Sequence, residues 1–154
     1  MPVGVDHLHA LPALLPATAT LIYGEFWAEK DGYSPAYFEQ RLSEASAPGR
    51  LPICRVAHEQ GVLLGTANLI DNDDEARGHL WPWLAAVVVV PEARGRGIGA
   101  LLVSTILGDA AAMGIDVLHL GTDKPEFYAL FGATPLEKAR PDLWIMRCPT
   151  KAPE

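Results

Sequence analysis

At 154 residues the chain has the length of one domain and is long enough to bury a core of its own. Hydrophobic residues make up 49% and charged residues 20%, a balance that excludes both a disordered chain and a fibre. The formal net charge of −7 argues against a general nucleic-acid binder, which needs a basic face, and mildly favours a cationic substrate.

In chain order, Val3 to Leu8 reads as a short strand. His7 and His9 alternate on one face of it, but two ligands are too few for a metal site and no metal is expected. Between Leu11 and Glu29 the apolar residues Leu14, Leu15, Leu21, Ile22 and Phe26 recur at helical spacing. Pro12 suits a first turn there, whereas Pro16 would distort the helix if it lay inside. Lys30 to Ser34 is a polar turn, and Ser34-Pro35 caps a second helix through about Ala45, with the proline at its first position. Ala47 to Pro52 is a loop. Pro52 to Ala57 and Val62 to Ile70 are strands, joined as a hairpin by His58-Glu59-Gln60-Gly61.

The acidic loop Asp71 to Gly78 leads to an apolar run, Leu84 to Val90, that reads as a strand buried on both faces. Pro91 ends that strand, because it cannot donate to a ladder. Gly95, Gly97 and Gly99 follow, then an apolar stretch from Ile98 to Leu107 with helical spacing, stopped at Met113-Gly114. Val117 to Thr122 is the next strand, and Pro125 to Phe131 a short helix closed by Gly132. Thr134 to Lys138 and Leu143 to Cys148 form a last hairpin around Ala139 to Asp142. No repeat or interior linker interrupts the pattern, so residues 1–150 are expected to be one domain and 151–154 a short tail. The order β-α-α-β-β-β-α-β-α-β-β implies a mixed α/β sheet rather than an alternating parallel one.

No apolar segment reaches the roughly 20 residues of a membrane span, and the N-terminus lacks the basic and apolar regions of a signal peptide. Cys54 and Cys148 stand far apart beside strand-like residues and are expected to be buried, reduced thiols. A cytoplasmic protein with no membrane partner is the expectation.

The central stretch carries the chemistry. A strand, a bare-backbone turn and a helix N-terminus in that order converge unpaired N–H groups, and the helix dipole adds partial positive charge. Glycine lets a phosphate approach closely, while Arg94 and Arg96 place two further donors at the mouth. Residues 95–100 thus read as a diphosphate cradle. Gly95-Arg96-Gly97-Ile98-Gly99-Ala100 also fits the G-x-G-x-x-A dinucleotide fingerprint, with Asp123 as the acidic residue further on. A doubly wound domain, however, would place this unit first and follow it with more alternating units.

Arg94-Gly95-Arg96-Gly97-Ile98-Gly99 resembles the R/Q-x-x-G-x-G/A signature of the GNAT family of N-acetyltransferases, led in by Val89-Val90-Pro91-Glu92. Phe127-Tyr128-Ala129-Leu130-Phe131-Gly132 is similar to that family's F-Y-x-x-x-G motif, with Ala133 where an aromatic usually follows. The resemblance implies the acyl-CoA N-acyltransferase fold, a central mixed and mostly antiparallel sheet flanked by helices. It implies acetyl-CoA as cosubstrate and direct attack by a primary amine within a ternary complex. Main-chain groups of Val87, Val88 and Val89 would pair with the pantetheine arm, and the amides of Gly95, Arg96, Gly97, Ile98, Gly99 and Ala100 would hold the pyrophosphate. For Arg94 and Arg96, direct phosphate contact and plain solvent exposure are both open. Tyr128 would stand beside the CoA sulfur as general acid, a role a phenol of ordinary pKa about 10 can fill. The other reading of Tyr128 is an aromatic packed on the core.

Many relatives use a glutamate base on the central strand or the next one. Here Leu84 to Val90 has no ionisable side chain and Val117 to Thr122 offers only His119. His119, His79, Glu25 and the acidic loop are the candidate bases. By resemblance the first two helices wall the acceptor site, a region holding Tyr23, Phe26, Trp27, Tyr33, Tyr37 and Phe38. Trp81 and Trp83 flank it. These aromatics with Asp71, Asp73, Asp74 and Glu75 would suit a cation with an apolar body, or would simply be core and solvated loop. Trp81-Pro82-Trp83-Leu84-Ala85 resembles a branch of the family that includes small-amine and peptide N-terminus acetylators, which leaves the acceptor open. Dimers are frequent among relatives, so a homodimer is among the expectations. The alternative function is a non-catalytic acyl-CoA-binding or sensing module on the same fold.

Overall fold

The computed structural model describes residues 2–151; of the expected C-terminal tail, residues 152–154 lie outside the described residues. The chain opens with β1 (Gly4–His7), two short 3-10 turns and α1 (Leu15–Ile22). Pro16 falls in the first turn of α1, where its missing N–H costs nothing, so the helix begins one residue before it rather than being bent by it. The expected long helix ends as a π-helical segment, Tyr23–Trp27. His7 closes β1 and His9 lies in the following 3-10 turn, so the two histidines do not alternate on a strand; their rings stack at 4.8 Å.

α2 (Pro35–Leu42) is shorter than its sequence pattern suggests, and its start is held by Ser34, whose Oγ accepts from the Tyr37 amide at 3.2 Å. β2 (Ile53–Glu59) and β3 (Val62–Ile70) turn on Gln60-Gly61, both at positive φ, as a two-residue hairpin of this hand requires. β4 (Trp83–Val89), α3 (Ile98–Ala112), β5 (Val117–Thr122), α4 (Pro125–Ala129), β6 (Thr134–Arg140) and β7 (Leu143–Pro149) complete the chain. The strands make one seven-stranded sheet in the order β1-β2-β3-β4-β5-β7-β6. Every neighbouring pair is antiparallel except β4 and β5.

One face of the sheet packs on α3, burying Ile53, Ala67, Leu69, Leu102, Val103, Ile106, Leu118, Leu120 and Met146. At about 25 cal/mol per Å² of apolar surface removed from water, burial of this kind supplies the main drive for folding. Arg55 on β2 ties α3 to the same face, with Nε and Nη2 donating to Asp109 at 2.8 and 2.7 Å. The opposite face carries Leu8, Ala45, Cys54, Val56 and Leu63 under α1 and the end of α2. Both cysteines are buried and free. No helix among the described residues is long and apolar enough to cross a membrane.

Candidate active site

Two departures from a regular sheet shape the middle of the molecule. Between β4 and β5 only Trp83 and His119 are paired, and beyond that point the strands part. The main-chain groups on that side of β4 therefore have no ladder partner in β5. Between β3 and β4 the register slips: Thr66 faces Val88 while Asn68 faces Ala85, so Ala67 opposes both Ala86 and Val87. Ala86 adopts φ +52°, a left-handed conformation that costs a side-chain-bearing residue about 1–2 kcal/mol. The bulge bends β4 where it leaves its partner. The strand expected to be buried on both faces is buried at Trp83 to Ala85 but only half-buried at Ala86, Val87 and Val89.

At the end of β4 the turn runs through Gly95 (φ +82°) and Gly97 (φ +79°), backbone that glycine adopts without strain. Gly97 then begins α3, whose N-terminus has no side-chain cap and no acidic residue in its first turn. The free amides of that turn face a cleft of about 210 Å³ lined by Val89, Ala93, Arg94, Gly95, Gly97, Ile98, Gly99, Ala100 and Phe127. A Cβ added at Gly95 or Gly97 would meet nothing within 4 Å, so the space above both is open. The expected cradle residues are thus brought together, and Phe127 joins them. Its ring end would lie 3.7 Å from a Cβ on Gly99, which puts α4 against the cradle wall. An uncapped helix start on bare backbone fits a diphosphate.

The two arginines are engaged with carboxylates. Arg94 donates through Nε to the Val89 carbonyl at 3.1 Å and lies 3.7 Å from Glu25 on the π-helical segment. Arg96 donates to Glu59 at 3.0 Å. Arg94 lines the cleft and Arg96 does not, and the candidate base Glu25 stands beside Arg94.

Tyr128 is half-buried one residue beyond Phe127, its ring edge-on to Phe127 at 4.9 Å. Burial above all, then Asp123 and Cys148, push its phenol up to about 12. His119 is 8% exposed. Its main-chain N–H donates to the Pro82 carbonyl at 2.9 Å and its ring Nδ1 lies 3.3 Å from the same oxygen. Pairing with Trp83 places His119 on the sheet face of Trp83, Ala85 and Asn68, the side that α1 covers. Burial lowers its pKa; the Pro82 carbonyl raises it, and Arg147 and His79 lower it further. The two candidate histidines are therefore neighbours.

On the same side stand the aromatic residues of the first two helices, and none of them is core. Tyr23, Trp27, Tyr33 and Phe38 are half-buried, Phe26 and Tyr37 exposed. Trp27 lies 4.5 Å from Tyr33 and 5.8 Å from Phe38, and Lys30 Nζ sits 4.4 Å above the Trp27 ring. In the acidic loop Asp71 accepts from Trp81 Nε1 at 2.8 Å, while Asp74 caps Ala76 and binds Arg77. Those two carboxylates hold the loop together. Asp73 is open to solvent but hemmed in by protein, and burial with the nearby Asp74 raises it to about 6 against the pull of Lys30.

Three features escaped the sequence. The left-handed Ala86 had only the Ala85-Ala86 pair at the head of a valine run as its signal. Phe127 reads as core in an amphipathic helix, yet it also walls the cleft. Asn68, a lone amide inside an apolar strand, is 5% exposed and its Nδ2 is the one buried side-chain nitrogen or oxygen without a partner among the described residues.

Residues 18–132 match the acetyltransferase (GNAT) family. With that match spanning most of the chain, on this fold and this cradle, the protein belongs to the GNAT acetyltransferase family. No curated protein shows a significant match to the sequence. Among solved structures, an aminoglycoside 6'-N-acetyltransferase complexed with coenzyme A is similar at TM-score 0.74 and 20% identity, covering 100% of this chain and 99% of that one. The aminoglycoside 6'-N-acetyltransferase of Enterococcus faecium aligns at TM-score 0.72 and 20% identity, again over 100% and 99%. The yncA protein of Salmonella typhimurium, solved with its cofactor acetyl-CoA, aligns at TM-score 0.74 and 17% identity over 100% and 99%. At such identities the likeness speaks to the fold.

Proposed function

We propose that the chain is an N-acetyltransferase that moves an acetyl group from acetyl-CoA to a primary amine of a small molecule or a peptide N-terminus, by direct attack in a ternary complex. The observation that carries this reading is the parting of β4 from β5, which leaves one side of a strand open and ends in an uncapped helix start. A pantetheine arm is about as long as four residues of extended chain, about 13 Å. Anchored at the cradle beside Val89, it would lie along Val87, Val88 and Val89 and end level with Ala85. Its thioester would then sit where the strands diverge, next to Trp83 and His119.

Amine attack forms the C–N bond and a tetrahedral centre, and collapse of that centre breaks the C–S bond. Tyr128, which keeps its proton at neutral pH, supplies a proton to the departing sulfur. The aromatic wall and Asp73 favour an acceptor carrying a further positive charge, since aromatic faces and a carboxylate without a cationic partner among the described residues both attract a cation. The similar aminoglycoside acetyltransferases favour a small molecule over a peptide. A cytoplasmic setting agrees with two buried, reduced thiols.

Release of free thiol from acetyl-CoA, measured across a panel of monoamines, diamines, aminoglycosides and short peptides, tests the reading. Amine-dependent release, greatest for multiply charged small amines, is the expected result. Acetyl-CoA binding without release for any amine would favour the sensing module instead.

A further inference from the structure

We propose that His119, standing where β4 and β5 part, is the general base that takes the acceptor's ammonium proton on Nε2. The inference rests on the acetyltransferase reading above and adds the residue which that reading lacks. A carbonyl oxygen can only accept, so the Pro82 oxygen 3.3 Å from Nδ1 assigns the ring hydrogen to Nδ1 and leaves the lone pair on Nε2. The same carbonyl accepts the His119 main-chain N–H at 2.9 Å, and the Trp83 ring lies 6.0 Å away, so the imidazole is held from two sides. Nε2 has no protein partner, yet it is not among the sealed polar atoms, of which Asn68 Nδ2 is the one found among the described residues. Nε2 is thus unpaired at the point where β4 and β5 part. Of the other candidates, Asp71 is engaged with Trp81, Asp74 with Ala76 and Arg77, and Glu25 stands 3.7 Å from Arg94. Neither these nor His79 and Asp73 lie on β5 at the parting, as His119 does.

The attacking alkylammonium sheds two protons on its way to the amide. One leaves the alkylammonium for His119 Nε2, giving an imidazolium that still donates from Nδ1 to Pro82. The freed lone pair attacks the thioester carbon, and the nitrogen's second proton reloads Tyr128 as that phenol's own proton goes to the sulfur. His119 then returns its proton to solvent. The charged and titratable groups that bear on His119 are Arg147 on β7 and His79 in the loop before β4, and both disfavour its protonated form. With burial they keep it neutral at pH 7, below its ordinary 6.5. Activity should thus be full near neutrality and fall as the pH drops through that lowered pKa.

The test is His119→Gln, which keeps a polar side chain of similar size but cannot take a proton. At pH 7, kcat/KM for the best amine should fall about 10²-fold or more, while acetyl-CoA affinity stays within a factor of about two. The acid limb set by His119 should vanish, leaving a rate that climbs with the fraction of free amine as the pH rises. A variant with the wild-type rate and profile, or one slowed equally at every pH, overturns the assignment. If His119→Gln does not fold, long-range 1H–15N spectra of the wild-type histidines decide. An Nδ1-protonated His119 titrating together with the acid limb supports the proposal, and an Nε2-protonated ring overturns it. A wild-type protein that binds acetyl-CoA yet acetylates no amine removes the acetyltransferase reading itself, and the base with it.

Discussion

The phenol of Tyr128 packs against the core and holds its proton firmly. Burial disfavours phenolate, and Asp123 and Cys148 add to the effect, so the group reaches about 12 and remains an acid throughout the neutral range. Tyr128→Phe should cut turnover about 10²-fold or more and leave acetyl-CoA affinity near normal, as steady-state kinetics and calorimetry would show. Unchanged turnover would take Tyr128 out of the mechanism. The sign of the pH effect follows from the same shift. An unfolded tyrosine ionises near 10, so stability should decline between about pH 10 and pH 12 as the unfolded chain sheds a proton the folded one retains. At this scale the sequence was informative where the backbone demands a residue type: the alternate glycines were legible as a turn, and Gly95 and Gly97 take positive φ in it. It was silent about Asp73, because which of several loop carboxylates keeps its charge free depends on where Trp81 and Arg77 reach in three dimensions.

At the scale of the element, β4 departs most from regularity, and two neighbouring residues of small size hold it there. Gly65 on β3 has no room for a side chain: a Cβ would lie 2.8 Å from the Val88 carbonyl and 3.1 Å from Leu102. Gly65→Ala should therefore lower unfolding stability by about 1–3 kcal/mol in urea titrations, because backbone must move to admit the methyl. Ala86 works in the opposite direction. Its left-handed backbone suits glycine better, so Ala86→Gly should raise stability by about 1 kcal/mol despite the looser unfolded chain. A loss of stability in Ala86→Gly would contradict the bulge as described. Most elements were readable to within a few residues, since caps, turn glycines and periodicity are local signals. Ser34 and Gln60-Gly61 act as their residue types suggest. The π-helical segment and the bulge were not readable, because each reconciles a chain of fixed length with neighbours far away in sequence.

Across the whole molecule the pattern is one of economy: a single parallel neighbour in an otherwise antiparallel sheet opens a slot without breaking the core beneath it. The start of α3 lines a cleft at the end of β4, while the segments around α1 and α2 carry a cluster of aromatic rings. The element order announced a mixed sheet, but only the strand register reveals that the slot and His119 meet at one point. The central claim is that the amides of residues 95–100 take the phosphates of acetyl-CoA while β4 takes its arm. Amide 1H–15N spectra recorded during an acetyl-CoA titration test it most directly. Large, saturable shifts concentrated at residues 87–89 and 95–100 are the predicted result; a titration that leaves these amides unmoved, or moves only residues elsewhere, would contradict it.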